Sequence, residues 1–263
     1  MKQSLIEVKD TYGKAIDLKN NTLYFLHIPK TAGTYMMQDL TTGEPLITGM
    51  RRVGKQHGYF VSEDLHCNAP VGNSHGLFKS IVFKSNYSDH TIITSIRNPF
   101  ELLVSVWAYV LHEKQNHFDR KACEKGFEYF LKTVIDRDNV WPSRKFLFCQ
   151  CWCSDGDLMV DYFFRRERIE EDVMRFCREN DITFSPGTPQ RVGSHDGYMR
   201  YYNDNLLHQV EETWKRELDL FGYTSNGFYP PENGIEYSIL QDKKSKVKYK
   251  WETDELIIGG EQA

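Results

Sequence analysis

The feature that most constrains this chain is the run FLHIPKTAGTYMMQDL, from Phe25 to Leu40. Thr22 to Ile28 reads as a short buried strand. Pro29 and Lys30 end it, Ala32 and Gly33 make a small turn, and a helix is predicted from about Thr34. A strand that ends in a cation, a glycine turn and a new helix is a way of holding phosphate. Backbone N–H groups and the helix dipole face the anion, and the lysine supplies charge. Gly33 lets the backbone approach closely, and Thr31 and Thr34 offer hydroxyls. The bland alternative is a strand that ends in a solvated lysine. A Walker loop for ATP needs glycines one and six residues before its lysine. Pro29 and Tyr24 occupy those positions, so that motif fails.

A second strand–turn–helix unit follows. Thr91–Ile96, TIITSI, is β-branched and apolar, as suits a central parallel strand. In RNPFELLVSVWAYVLHEK, Asn98 is an N-cap, Pro99 takes the first helical position and Glu101 completes a capping box. Leu103, Val106, Trp107 and Val110 give the apolar stripe. Arg97 stands at the strand end. Ser105, seven residues after Asn98, shares a helix face with it and leans toward the helix start. Arginine and hydroxyl together suit a clamp for a second phosphate. The other reading is Arg97 in a salt bridge and Ser105 bonded to its own helix.

Together, IPKTAGT and IRNPFELLVS resemble the two signature segments of sulfotransferases that use 3′-phosphoadenosine 5′-phosphosulfate (PAPS). The second segment has the form R-[DN]-P-x-x-x-x-x-S. The likeness is to the carbohydrate enzymes, such as heparan sulfate 2-O-sulfotransferase. The cytosolic aryl enzymes carry tryptophan where this chain has Tyr35. VDYFFRRERIEEDV and YYNDNLLHQVEETWKRELDLFGY are similar to the family's later strand and helix and its closing helix, so the resemblance runs from about Leu23 to Tyr223. Leu102 departs from it, standing where many relatives have a second arginine.

The resemblance implies a three-layer α/β domain with a mainly parallel sheet and a P-loop-like site. It implies transfer of a sulfonate from PAPS to an acceptor hydroxyl, with release of 3′-phosphoadenosine 5′-phosphate (PAP) and no metal required. Lys30 would stabilise charge on the leaving 5′-phosphate. Thr31, Ala32, Gly33, Thr34 and Tyr35 would line the 5′-phosphosulfate loop, and Arg97 and Ser105 would hold the 3′-phosphate. Arg191 and Gly193, in PQRVGSHDGY, stand where relatives place a loop over the adenine and 3′-phosphate.

Taking the acceptor proton suits a histidine. His75, in VGNSHGLFKS and 22 residues before Arg97, is placed similarly to the catalytic histidine of the 2-O-sulfotransferase type. A backbone-bonded loop histidine is the alternative, with His57 or a glutamate as the base. His27 reads as a core histidine. His112 and His117, with Lys114, read as a helix end or as substrate contacts. Asp155-Gly156-Asp157 matches a metal-binding D-x-D but reads as a turn.

The rest of the chain qualifies this reading. With 263 residues and no repeat or linker, one domain is expected over 1–263, its core at about 22–223 and a peripheral tail at 230–263. Leu158–Phe163 is predicted as a strand. Ile169, Val173, Phe176 and Cys177 mark one amphipathic helix, and Leu207, Val210, Trp214 and Leu218 another, ending near Gly222. The tail, with KKSKVKYKW, reads as two short edge strands or a flexible end. A net charge of −4 argues against nucleic acid as a partner. The resemblance implies a sugar hydroxyl as acceptor, on an oligosaccharide, a lipid-linked glycan or a small glycosylated metabolite. The net charge makes a highly anionic polymer a poorer fit, although Arg51, Arg52, Lys55, Lys79 and Lys84 could form a basic groove, and the many aromatics equally suit a small ring system. No apolar run suits a membrane span and no signal-peptide pattern opens the chain, so a cytoplasmic protein is expected. The six cysteines contain no C-x-x-C pair and are expected to be reduced. The cluster Cys149, Cys151, Cys153 reads as packing, with metal or redox use as the alternative. Two other functions compete: a nucleotide kinase that binds Mg·ATP, and a non-catalytic PAP-binding module.

Overall fold

The computed structural model describes residues 7–9, 15–17, 22–26, 28, 30–37, 51–53, 65–67, 81–83, 90–113, 117, 119–136, 151, 158, 160–180, 182, 197–228, 247–250 and 255–258. Along the chain come β1 (Glu7–Lys9), β2 (Ala15–Asp17), β3 (Thr22–Leu26), α1 (Gly33–Met37), β4 (Arg51–Val53), β5 (Leu65–Cys67) and β6 (Ile81–Phe83). Then follow β7 (His90–Ile96), α2 (Pro99–Glu113), α3 (Arg120–Glu124), α4 (Phe127–Ile135), β8 (Tyr162–Arg165) and α5 (Ile169–Glu179). The last elements are α6 (Asp204–Phe221), β9 (Tyr223–Thr224), β10 (Gly227–Phe228), β11 (Val247–Lys250) and β12 (Glu255–Ile258). Helices and a parallel sheet make this a mixed α/β fold. Among the described residues, no helix is long and apolar enough to cross a membrane.

Two units interleave in sequence: Met1–Ile96 with Cys151–Arg191 and Tyr237–Ala263, and Arg97–Gln150 with Val192–Glu236. The first is built on a four-stranded sheet of order β4-β3-β7-β8, parallel throughout. Alternate residues of β7 explain why it is central. Ile93 and Ser95 point one way and Ile92, Thr94 and Ile96 the other, and all are buried. One sheet face meets α1 and α5 in a core of Leu23, Phe25, Tyr35, Met36, Ile93, Phe164, Ile169, Val173, Phe176 and Cys177. The four residues that predict α5 by their spacing are thus its buried face. Burial pushes the Cys177 thiol up to about 12, and Cys123, Cys151 and Cys177 are buried thiols that form no disulfide. Cys149 and Cys153 lie outside the described residues. The tail strands β11 and β12 pair with each other, antiparallel.

The strand expected at Leu158–Phe163 instead runs over Tyr162–Arg165. Asp161 is the reason. Its N–H donates to the Ile92 carbonyl (2.7 Å) while its carboxylate accepts the Ile92 N–H (2.8 Å). Leu158 forms an isolated bridge, and just ahead of β8 it is the Asp161 carboxylate, not a main-chain carbonyl, that accepts the Ile92 N–H. At the other end of β8, buried Asp172 of α5 accepts the Arg165 N–H (2.8 Å) and pairs with Arg168 (3.0 Å) and Arg175 (3.5 Å). Burial raises its carboxyl pKa, against the pull of the Arg165 N–H and of the arginines.

In the second unit, Asn98 caps α2 by accepting the Phe100 N–H (3.1 Å), and its amide donates to the Thr224 carbonyl (2.8 Å). Tyr202 donates to the Phe100 carbonyl (2.8 Å) and packs edge-on against Phe100 and Phe127. Asn203 caps α6 through the Leu206 N–H, and Gly222 ends it in the left-handed conformation (φ 68°). Within α6 the chain departs from helical geometry at buried Trp214 (φ −111°, ψ 20°), next to Thr213, whose hydroxyl bonds back to the Gln209 carbonyl.

Asp172→Ala leaves the buried Arg165 N–H without its acceptor. A loss of about 2 kcal/mol is expected in urea unfolding of the full chain; a loss below about 0.5 kcal/mol would show that Asp172 does not tie α5 to the sheet.

Candidate active site

The turn after β3 departs from ordinary backbone at two non-glycine residues. Lys30 has φ 66° and Ala32 φ 87°. Each such residue costs about 1–2 kcal/mol, and such strain persists only where the surroundings over-determine it. Thr31, between the two, supplies that determination. It is fully buried, and its hydroxyl donates to the Ile28 carbonyl at 2.8 Å. Its oxygen also lies 3.0 Å from Ser95 Oγ of β7. A threonine has one hydroxyl proton; with that proton on Ile28, Ser95 is the donor of the second bond. The Ala32 carbonyl then accepts the Met36 N–H (3.1 Å), starting α1 at Gly33.

Lys30 is half-buried in this turn and Gly33 is buried behind it. Thr31 therefore uses its hydroxyl within the protein, and what remains to it toward an anion is chiefly its backbone. Thr34 lies in α1, but its side chain, like His27 and Pro29, is outside the described residues. Tyr35 turns into the core beneath α5, where its hydroxyl reaches Glu170 (3.4 Å). Burial, then the Glu170 carboxylate, pushes the phenol up to about 12. Any contact of Tyr35 with a bound anion falls to its main chain.

Arg97 and Ser105 belong to the second unit, and each is about 6% exposed. Arg97 Nη2 donates to Glu101 Oε1 at 2.6 Å, an i,i+4 ion pair. The salt bridge weighed from the sequence is therefore formed. Glu101 and Ser105, four residues apart in α2, share a helix face, and Arg97 reaches Glu101 from ahead of the helix. Leu102 is fully buried, as suits an apolar residue where relatives carry arginine.

His112 is exposed on the last turn of α2, and His117 Nδ1 accepts the Asp119 N–H (3.1 Å) ahead of α3. Both occupy helix-end positions. His75, His57, Lys114, Arg191, Gly193, Asp155, Gly156, Asp157, Lys55, Lys79 and Lys84 lie outside the described residues, and Arg51 and Arg52 are described only as backbone of β4. Among the described residues, no three His, Cys, Asp or Glu side chains group as metal ligands. Sequence reasoning missed Ser95. The available signal was the one residue of TIITSI that is not β-branched, a serine whose hydroxyl needs a partner when buried.

The Tyr35 phenol gives a pH test. Its ordinary pKa is 10.0 and its folded value about 12, so the unfolded chain ionises first as pH rises. Stability should fall from about pH 10 to about pH 12, and Tyr35→Phe should make that fall shallower in urea titrations across the range. An unchanged slope would place the phenol in solvent.

Compared with known proteins, the chain matches a sulfotransferase family model over residues 15–224. No curated protein and no solved structure matches it. The matched span takes in the Lys30 turn, β7, Arg97, Ser105, α5 and α6. A model that covers most of the chain, both signature segments included, shows the relationship: the chain belongs to the sulfotransferase family, whose enzymes transfer sulfonate groups.

Proposed function

We propose that the chain takes its sulfonate from PAPS and passes it to a hydroxyl of a carbohydrate, a glycosylated metabolite or another small acceptor. The observation that carries this reading is the Lys30 turn, with two left-handed non-glycine residues around a doubly bonded Thr31 at the end of a parallel strand. Strain of this kind collects at functional sites, and the C-terminal ends of parallel strands are where open α/β sheets bind ligands. The three-layer, P-loop-like description of the fold is part of the same proposal.

The residue types at each segment suit the groups of a bisphosphorylated nucleotide. The turn pairs a cation with small residues, Ala32 and Gly33, that let an anion approach the backbone. Arg97 would serve the 3′-phosphate with Ser105; a guanidinium has five N–H donors, enough for a phosphate beside the Glu101 carboxylate. Arg191 and Gly193 would cover the adenine side. PAPS, when bound, supplies the sulfonate and departs as PAP. Lys30 would hold positive charge where negative charge develops on the 5′-phosphate side, and the N–H groups from Thr31 to Tyr35 would orient that end. His75 would accept the hydroxyl proton of the acceptor at a ring nitrogen, at a pH where imidazole is neutral.

Incubating the chain with PAPS and a panel of sugar and phenolic hydroxyl acceptors, and following PAP by chromatography, tests the reading. Lys30→Ala should lower acceptor-dependent PAP release about 10²–10³-fold, and His75→Ala about 10²–10⁴-fold. Tight PAP binding with no transfer to any acceptor would favour a binding module. Release that is indifferent to Lys30 would remove the proposed role of the turn.

A further inference from the structure

We propose that Ser95 is a positioning residue for Lys30 and acts through the Thr31 hydroxyl. The inference rests on the reading of the Lys30 turn as the holder of the donor's 5′-phosphate end, and it adds what sets the geometry of that turn.

Three observations carry it. First, Ser95 is fully buried in a strand whose other residues, after His90, are isoleucines and threonines. A buried hydroxyl costs free energy unless it is bonded, and an alanine would fill the strand position without that cost. Second, the pairing of β3 with β7 ends at Leu26 opposite Thr94. β7 continues past that point and pairs on its other side, Ser95 opposite Phe164 and Ile96 opposite Arg165. Ser95 is thus the first β7 residue beyond the β3 ladder, at the level where the chain leaves β3 for the turn.

Third, the bond from Ser95 reaches the buried residue that stands between the two left-handed ones. Thr31 receives the Ser95 proton at 3.0 Å and passes its own to the Ile28 carbonyl at 2.8 Å, closing a relay from β7 to the end of β3. Lys30 and Ala32, on either side of Thr31, are the two left-handed non-glycine residues among those described. Local preference works against both, so the side chain between them is what tertiary structure can grip. Without the Ser95 hydroxyl, Thr31 keeps its local bond to Ile28 but loses its tether to β7. The turn is then free to relax toward ordinary dihedrals, which carries the Lys30 ammonium away from the position that serves the 5′-phosphate.

Calorimetric titration with PAP and with adenosine 3′-monophosphate, which lacks the 5′-phosphate, isolates the grip of the turn. The wild-type chain should bind PAP more tightly. Ser95→Ala should narrow that affinity ratio about tenfold and leave binding of adenosine 3′-monophosphate within about twofold. Ser95→Cys, which keeps the volume but bonds poorly, should narrow it similarly and covers the case in which Ser95→Ala does not fold. In a Lys30→Ala background, the Ser95 change should have no further effect on the ratio. A ratio that survives Ser95→Ala, or one that narrows equally with and without Lys30, overturns the positioning role while leaving the donor reading intact. A narrowing confined to Ser95→Ala assigns the effect to packing and also overturns it. A wild-type chain with no preference for PAP over adenosine 3′-monophosphate removes the donor reading and this inference together.

Discussion

The parallel pairing of β3 with β7 is the contact on which the rest of the first unit depends. Five residue pairs, from Thr22 opposite His90 to Leu26 opposite Thr94, hold the two strands in register. Because the strands are parallel, their C-terminal ends leave the sheet at the same edge. That shared edge brings Ser95 within reach of Thr31, although 64 residues separate them. The turn's two left-handed residues cost about 1–2 kcal/mol each. The two hydrogen bonds of Thr31 return about 1 kcal/mol each, and the burial of Tyr35 and Met36 behind the turn contributes further. A one-residue slip in the β3–β7 register would turn Ser95 to the opposite face and leave Thr31 without its tether.

Charge is arranged locally. The chain as a whole carries −4, so attraction of an anionic nucleotide has to come from a few placed cations. Lys30 is partly exposed on a turn, whereas Arg97 is nearly buried and held by Glu101 at 2.6 Å. A buried guanidinium with a carboxylate partner pays less for its desolvation than an isolated one. It is also fixed in direction, which suits recognition of a second anion by the planar donor fork. The proposed division of labour follows from this contrast. In that proposal the compact Lys30 ammonium would serve the end where charge changes during reaction, and the Arg97 guanidinium the end where it does not.

Much of this was legible in the sequence, and the exceptions have physical causes. β3, β7 and α2 announced themselves through apolar runs, a good N-cap and a proline at the first helical position. α5 did so through Ile169, Val173, Phe176 and Cys177, all of which are buried. The Arg97–Glu101 pair was visible as an i,i+4 spacing, although only the structure showed it formed. The start of β8 was misplaced because Asp161 supplies a side-chain bond that imitates the ladder, which periodicity does not register. The directions of Thr31 and Tyr35 were hidden for another reason. Left-handed dihedrals at Lys30 and Ala32 re-aim the residues between and after them, and nothing in PKTAGT marks a lysine and an alanine for positive φ. Ser95 was hidden because its partner is distant in sequence.

The nucleotide that the chain prefers decides the donor assignment. Calorimetric titration with PAP, ADP and Mg·ATP, repeated on Arg97→Ala, measures this directly. PAP should bind most tightly, and the variant should lose roughly 1.5–3 kcal/mol of that binding, as expected when a charged contact to phosphate is removed. Binding of Mg·ATP that equals or exceeds that of PAP and is indifferent to Arg97 would contradict the account and point to a nucleotide kinase.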